Sequence, residues 1–201
     1  IQLWVNERSS SHRASSTVRL LGVLSRAFNH AIKHHGFPLP FNPVERVIKP
    51  RINQTTIRRI PSRLAKLLES PACRMGCIAS FAVETAMRRS EIAKLEWAEV
   101  DLERRLVHVR NTKNGHDRSV PLSSTALLAL GQFKRTDKTV FGMSSNAIRL
   151  AWGRYKRSHG IDAVRFHDLR HEAISRLFER GLTTPEVALL SGHKTVSQLF
   201  R

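Results

Sequence analysis

One place in these 201 residues breaks the helical rhythm of the rest. LVHVR (106–110) and SVPLS (119–123) are short β-prone runs. Between them, NTKNGHDR carries Asn114-Gly115, the dipeptide that best tolerates the positive φ angles of a tight turn. The expectation is a β-hairpin with Lys113 close to its tip. Elsewhere the apolar residues recur at helical spacing. Val18, Leu21, Leu24, Phe28, Ala31 and Ile32 mark one side of a helix capped by Ser16, running to about His35 and stopped at Gly36. Further helices are expected over 62–69, from Ser70-Pro71 with Ile78, Phe81, Ala82 and Thr85 facing inward, over 124–133 and over 146–159. A break near Met87-Arg88 leads into SEIAKLEW, which Ser90 helps to start. The chain therefore reads as mainly α with a small antiparallel β-hairpin or sheet.

The opening IQLWVNER reads as the end of a helix, followed by a Ser-rich loop. FPLPFNPVERVIKPR is a proline-punctuated basic connector, which places a domain boundary near Pro50 and divides the chain into 1–50 and 51–201. Two helices make a poor core, so the first domain is expected to be incomplete at its N-terminus. No internal repeat is present.

The last stretch, FHDLRHEAISRLFERGLTTPEVALLSGHKTVSQLFR, gathers polar groups at bends and helix ends. His167 and Arg170 lie one helical turn apart, so an imidazole and a guanidinium can converge on one small anion. Leu169, Ala173, Ile174 and Leu177 supply the stripe that packs this helix on a core, and Gly181 stops it. Thr184 is expected to cap a second helix with Pro185 at its first position, running through Leu190. His193 follows a Ser191-Gly192 turn. His167-Asp168-Leu169-Arg170-His171 resembles the zinc motif HExxH. Asp is shorter than the usual Glu, Arg170 would set a fixed positive charge beside the metal, and no third ligand stands out. No metal is expected, and His171 reads as a satisfied structural histidine.

Lys and Arg number 34 against 16 Asp and Glu, a formal net charge of +18. Such an imbalance repels itself and calls for a polyanion, with nucleic acid ahead of an acidic membrane surface. No apolar run is long enough to span a bilayer, and no signal peptide opens the chain. Cys73 and Cys77, one helical turn apart, read as two buried thiols in a reducing cytoplasm. Cationic or hydrogen-bonding residues collect at structural breaks: Arg88 at a helix junction, Lys113 at a hairpin tip, His167 and Arg170 at a helix start, and His193 in a tight turn. Together they can surround a phosphodiester. Arginine's planar fork grips two phosphate oxygens, and a lysine crowded by cations can donate a proton to a leaving oxygen.

TAMRRSEIAKLEWAEVDL, TKNGHDRSVPLS, FHDLRHEAISR and LSGHKTVSQLFR resemble, in this order, the signature segments of the tyrosine recombinases, the phage integrase family. FHDLRHEAISR and the NTKNGH hairpin are similar to the shufflon-type DNA invertases. The resemblance implies a catalytic domain over 51–201, preceded by the C-terminal part of a helical core-binding domain over 1–50. It implies that Arg88 and Arg170 clamp the scissile phosphate, with Glu91 orienting the site. Lys113 is then the general acid for the departing 5′ oxygen, His167 assists proton transfer and His193 bonds the phosphate. Arg19, Arg26, Lys49, Arg51, Arg89 and Arg118 are expected DNA contacts. The family's activity is site-specific cleavage and religation of double-stranded DNA through a 3′-phosphotyrosyl intermediate, as a homotetramer on two sites, without cofactor or metal. The nucleophilic tyrosine falls directly after Arg201, so the chain is expected to be a fragment of a cytoplasmic recombinase. The one tyrosine present, Tyr155, matches no nucleophile motif and reads as a packing residue or a DNA contact. The alternative is a catalytically inactive DNA-binding relative that regulates recombination sites, and a third reading is an RNA-binding module.

The charge alone generates one test. If about 6 phosphates are neutralised on duplex DNA, log K against log salt slopes near about −5. A filter-binding or anisotropy series between low and moderate salt measures it, and a flat line refutes the polyanion argument.

Overall fold

Two helices begin the chain, α1 (Gln2–Ser11) and α2 (Ala14–His35). The computed structural model describes residues 1–52, 59–110, 117–161, 163–195 and 199. It separates two units, Ile1–Thr56 and Ile57–Arg201. In the first, Val5, Leu21 and Val44 form a small core against which Trp4, Leu24, Phe28 and Val47 pack. Asn42 is buried, and its amide donates to Ser25 O, Ser25 Oγ and Asn29 Oδ1, each at 2.9 Å, while Oδ1 accepts from the Val44 N–H at 3.0 Å. The expected Ser-rich loop is shorter than the sequence suggested. Ser9 Oγ donates to Val5 O at 2.7 Å and Ser10 Oγ to Glu7 O at 2.6 Å, so these hydroxyls bond back along α1 and stay helical. Ser16 is likewise not a cap, because α2 already begins at Ala14 with Arg13 at the cap position. Gly36 ends α2 in the left-handed region at φ 59°, which only glycine adopts cheaply.

The second unit runs α3 (Ser62–Glu69), α4 (Arg74–Thr85), α5 (Arg89–Lys94), a 3₁₀ turn (Trp97–Glu99), β1 (Val100–Asp101), β2 (Leu106–Val109), β3 (Arg118–Pro121), α6 (Ser124–Gly131), α7 (Ser145–Ser158), α8 (Phe166–Glu179) and α9 (Thr184–Ser191). Its core is built around α4. Met75 through Val83 are all buried, so this helix is surrounded rather than amphipathic, and α3, α6, α7 and α8 pack against it. Phe81 meets Phe141 edge-on at 5.2 Å between ring centroids. The unit thus hangs on a central helix whose ends cannot shift without disturbing four neighbours.

The sheet is antiparallel in the order β1-β2-β3, with Val107 opposite Val120 and Val109 opposite Arg118. β1 is only two residues long and carries no periodic signal, which is why the sequence shows a hairpin alone. Along β3 the alternation buries Arg118 and Val120 and exposes Ser119 and Pro121. The hairpin turn lies outside the described residues. At several helix starts the residue just before the helix supplies the cap; α6 begins at Ser124 as expected, and α7 at Ser145, one residue before the expected start. Ser123 Oγ accepts from the Ala126 N–H and Ser144 Oγ from the Ala147 N–H, both at 3.1 Å. Thr183, not Thr184, caps α9, and Cys73 caps α4. Cys73 is therefore exposed, against the expectation of two buried thiols, and only Cys77 is buried. No helix among the described residues is long and apolar enough to cross a membrane.

An ion-pair network ties α8 to its surroundings. Glu172, 4% exposed at its side chain, accepts from Arg59 Nε at 2.8 Å, Arg176 Nε at 2.9 Å and the Ile60 N–H at 3.3 Å. Arg176 reaches Glu84 of α4 at 3.8 Å, and Glu84 accepts from Ser123 Oγ at 2.6 Å. Arg59 also pairs with Glu179. Burial pushes the Glu172 carboxyl up, but the bonds from Arg59 and Arg176 outweigh it and hold the group below the usual carboxylate range. Its stabilising contribution is therefore present above the ordinary carboxylate pKa and lost as pH falls through its own lower one. Glu172→Gln should cost about 2 kcal/mol at neutral pH, a value reduced for the half-exposed Arg59, and should flatten the acid limb of stability. Urea denaturation at a series of pH values measures both.

Candidate functional site

α4 ends in an unusual way. Ala86 adopts φ 52°, the left-handed region, which costs a non-glycine residue about 1 kcal/mol. The reversal aims the Ala86 carbonyl at α8, where it accepts from Arg170 Nη1 at 2.6 Å. Two residues later Arg88 stands at the N-cap of α5, the position expected for Ser90. Its backbone N–H donates to Glu91 Oε2 at 2.8 Å and its Nη1 to Glu91 Oε1 at 2.9 Å.

The opposite wall is the C-terminus of α9, where the last carbonyls of a helix have no partner within it and carry the negative end of its dipole. Three successive carbonyls there accept from three arginines. Leu190 O accepts from Arg118 Nε at 2.9 Å, Ser191 O from Arg170 Nη2 at 2.6 Å, and Gly192 O from Arg88 Nη2 at 2.8 Å. Gly192 is left-handed at φ 70°, and a Cβ on it would meet Arg118 Nη1 at 3.0 Å, so glycine is required for both its conformation and its space. Arg118 also grips Glu91, with Nη2 on Oε2 at 2.7 Å and Nη1 on Oε1 at 3.2 Å. Burial raises the Glu91 carboxyl, yet Arg118 and Arg88 outweigh that and keep it ionised. Burial, reinforced by Arg88, pushes Arg170 down to about 9, still cationic at neutral pH.

Ser191 Oγ donates to Val187 O at 2.6 Å, so its oxygen accepts from His193 Nδ1–H at 2.7 Å. This sets the tautomer: His193 Nε2 carries a lone pair and faces Arg170 Nη2 at 3.4 Å. Burial and then Arg170 and Arg88 push His193 down to about 4. His167 has an exposed edge, but loss of hydration on its inner side, with His171 and Arg170, pushes it also to about 4. Its ring meets His171 edge-on at 4.8 Å. His171 is half-buried, and burial lowers it too. Both site imidazoles are therefore neutral at pH 7 and can accept a proton once an anion offsets the surrounding charge. Asp168, in the zinc-like run, is spent on the Arg165 N–H at 2.8 Å. Among the described residues no group of three His, Cys, Asp or Glu is placed to hold a metal ion.

The structure thus brings Arg88, Glu91, Arg170 and His193 together, with His167 one turn before Arg170 on α8. Lys113 lies outside the described residues. Arg89 is partly buried, with Nε on Ser145 Oγ at 3.0 Å. Arg19, Arg26, Lys49 and Arg51 are exposed in the first unit. Arg118 requires a correction: its side chain is 3% exposed and each of its guanidinium nitrogens bonds Glu91 or Leu190 O, so it is not a surface DNA contact. The signal was in the sequence, since strand alternation puts Arg118 on the face of Val120. Sequence reasoning missed Ala86, because alanine carries no left-handed signal. It also missed Ser191 as the group that orients His193. Tyr155 is buried and stacks on Trp152 at 5.5 Å, a packing residue whose phenol burial pushes up. A cavity of about 490 Å³, lined by Pro71, Cys73, Arg74 and Phe133 among others, shares no residue with the arginine cluster.

Residues 50–201 match the model of the phage integrase family. The chain is 38% identical to the shufflon-specific DNA recombinase of Escherichia coli over 204 residues, covering 98% of this chain and 53% of that protein, so it spans about half of that relative. Among solved structures it resembles the Tn1549 transposon integrase in complex with circular intermediate DNA, with TM-score 0.80 and 16% identity, covering 99% of this chain and 78% of that one. It also resembles a lambda integrase tetramer bound to a Holliday junction, with TM-score 0.75 and 19% identity, covering 96% of this chain and 63% of that one. These two likenesses are of fold.

The depressed histidines make a pH test. Each is neutral in the folded chain where the unfolded chain would protonate it, so stability is full above about pH 6.5 and falls toward about pH 4. His193→Asn should remove part of the loss between pH 6.5 and 5, above the range where carboxylates titrate. Thermal unfolding across that interval reads it, and a parent and variant with identical slopes would contradict the assignment.

Proposed function

Because the chain belongs to the phage integrase family, we propose that it is the catalytic portion of a site-specific tyrosine recombinase acting on duplex DNA. The observation that carries the reading is the convergence of Arg88, Arg170 and His193 at the C-terminus of α9, two guanidinium cations beside a neutral imidazole, with their charge only partly offset by Glu91. Such a cluster suits a phosphodiester whose negative charge grows in a pentacoordinate transition state. Arg88 and Arg170 hold the non-bridging oxygens and His193 bonds one of them. For that, Nε2 must carry a proton, which a bound phosphate favours. His167 assists the transfer of the nucleophile's proton. A tyrosine oxygen forms a bond to phosphorus as the bond to the 5′ oxygen breaks, and Lys113 is the proposed donor of the proton that oxygen takes. The phosphotyrosine conserves the bond for religation, so no nucleotide or metal is consumed. The attacking tyrosine is proposed to lie directly after Arg201.

The similarity to the shufflon-specific recombinase favours DNA inversion as the outcome, carried out in the cytoplasm. The net charge of +18 supports binding to DNA, and the likeness to a lambda integrase tetramer bound to a Holliday junction supports assembly of four protomers, proposed to act on two duplex sites. Residues 1–50 are proposed as the end of a helical core-binding domain, with Arg19, Arg26, Lys49 and Arg51 on phosphates and Arg89 as a further contact.

Two measurements test the reading. A chain extended past Arg201 should form a denaturant-resistant adduct with a nicked suicide duplex. Tyr155→Phe should leave that adduct intact, while replacing the added tyrosine by phenylalanine should abolish it. In the same chain, Arg170→Lys should slow cleavage about 100-fold or more while DNA affinity changes little, because lysine keeps the charge but loses the fork. Arg89→Lys should be mild. Equal losses for the two would show that the clamp is misassigned, and an adduct lost with Tyr155→Phe would move the nucleophile.

A further inference from the structure

Arg118 touches both groups that hold Arg88, and all three of its guanidinium nitrogens are bonded within the protein. Its side chain is 3% exposed, against 25% for Arg88. Its two terminal nitrogens lie on the two oxygens of Glu91, at 2.7 and 3.2 Å. Its Nε is on Leu190 O, and its guanidinium lies against Gly192, at 3.0 Å from where a Cβ would stand. Arg88 is bound to the same two partners, Glu91 Oε1 and Gly192 O. We propose that Arg118 is a positioning residue of this site, acting through Glu91: by occupying the carboxylate in a two-pronged pair it keeps Glu91 from capturing Arg88, and so leaves Arg88 available to a phosphate.

The physics is a competition for one cation. Glu91 is buried, 8% exposed at its side chain, and a buried carboxylate that loses its partner draws in the nearest cation strongly. With Arg118 in place that demand is met, and Arg88 gives Glu91 a single side-chain bond, from Nη1. Without Arg118, the nearest replacement is the Arg88 fork, which would swing from one oxygen to both and compete directly with phosphate. Arg170 is anchored away from Glu91, because each of its terminal nitrogens gives one hydrogen to Ala86 O or Ser191 O, which leaves the second hydrogen of each for a phosphate. The effect should therefore fall on one arm of the clamp. Burying a third arginine where only two face the ligand has a cost in desolvation, which the Glu91 and Leu190 bonds offset.

This role rests on the phosphate-site reading above, and the test separates the two. Inorganic phosphate is titrated into the 201-residue chain while the His193 ring proton is followed by NMR at several pH values. A bound phosphate raises the His193 pKa, a response that surface binding elsewhere does not produce. Arg118→Gln should weaken phosphate at His193 by about tenfold or more, with the phosphate-dependent pKa rise reduced accordingly. Adding Glu91→Gln should recover at least about threefold of it, because no carboxylate remains to capture Arg88. If Arg118→Gln alone does not fold, the double variant is compared with Glu91→Gln, and the two should agree within about threefold. A parent whose His193 ignores phosphate, or ignores the loss of both Arg88 and Arg170 to glutamine, overturns the phosphate reading and this role with it. If the parent and the Arg88 and Arg170 controls behave as expected, the positioning role alone is overturned by any of three results. These are parent-like binding by Arg118→Gln, no recovery in the double variant, or a gap beyond threefold in the fallback comparison.

Discussion

Three guanidinium groups share the last three carbonyls at the α9 C-terminus, and most of the second unit is arranged to make that possible. Like charges so close would separate in water. They stay because a helix C-terminus presents a row of unpaired acceptors at the negative end of its dipole, each interaction contributing about 0.3–1 kcal/mol. Among the described residues, Glu91 adds the one full negative charge that the cluster contains. The compensation is incomplete by design of the parts: three cations meet one carboxylate and a set of partial charges, so an anion completes the arrangement.

Holding such a cluster requires that its supports do not relax. α4 is the rigid reference, buried along almost its whole length, and it ends in the strained Ala86, whose carbonyl fixes one arm of Arg170. α8 is held against α4 by Leu169, Ala173 and Ile174 and by the Glu172 network running from Arg59 to Glu84. A conformation that costs about 1 kcal/mol at Ala86 persists because the packing around it decides the backbone, not its own preference. The strain sits where it directs a hydrogen bond into the site, a common place for it.

The same positive surroundings set the histidines. Both site imidazoles are held neutral by lost hydration and by neighbouring cations, so neither adds to the positive charge of the arginines. A phosphate would reverse the balance, since its charge favours the imidazolium. His193 is oriented for this by Ser191, whose hydroxyl is itself fixed on Val187 O. Proton affinity and anion occupancy are thus linked through contacts only a few ångströms long.

Much of this was legible in the chain. The helical spacing of apolar residues and the Asn114-Gly115 turn located the helices and the hairpin, because these signals are local, and the resemblance of the AMRRSE, FHDLRH and LSGH segments to the family brought Arg88, Glu91, Arg170 and His193 together. What the sequence left open depended on partners far along the chain. β1 exists only because β2 pairs with it. Ala86 is left-handed because α8 and α4 must meet there, and nothing in an alanine announces that. Arg118 read as a DNA contact from its charge, although strand alternation put it inward. Only the packing of β3 against α9 showed a carboxylate and a helix end waiting for it. Charge says that a residue prefers water or a counter-charge, and the tertiary structure decided which of the two Arg118 received.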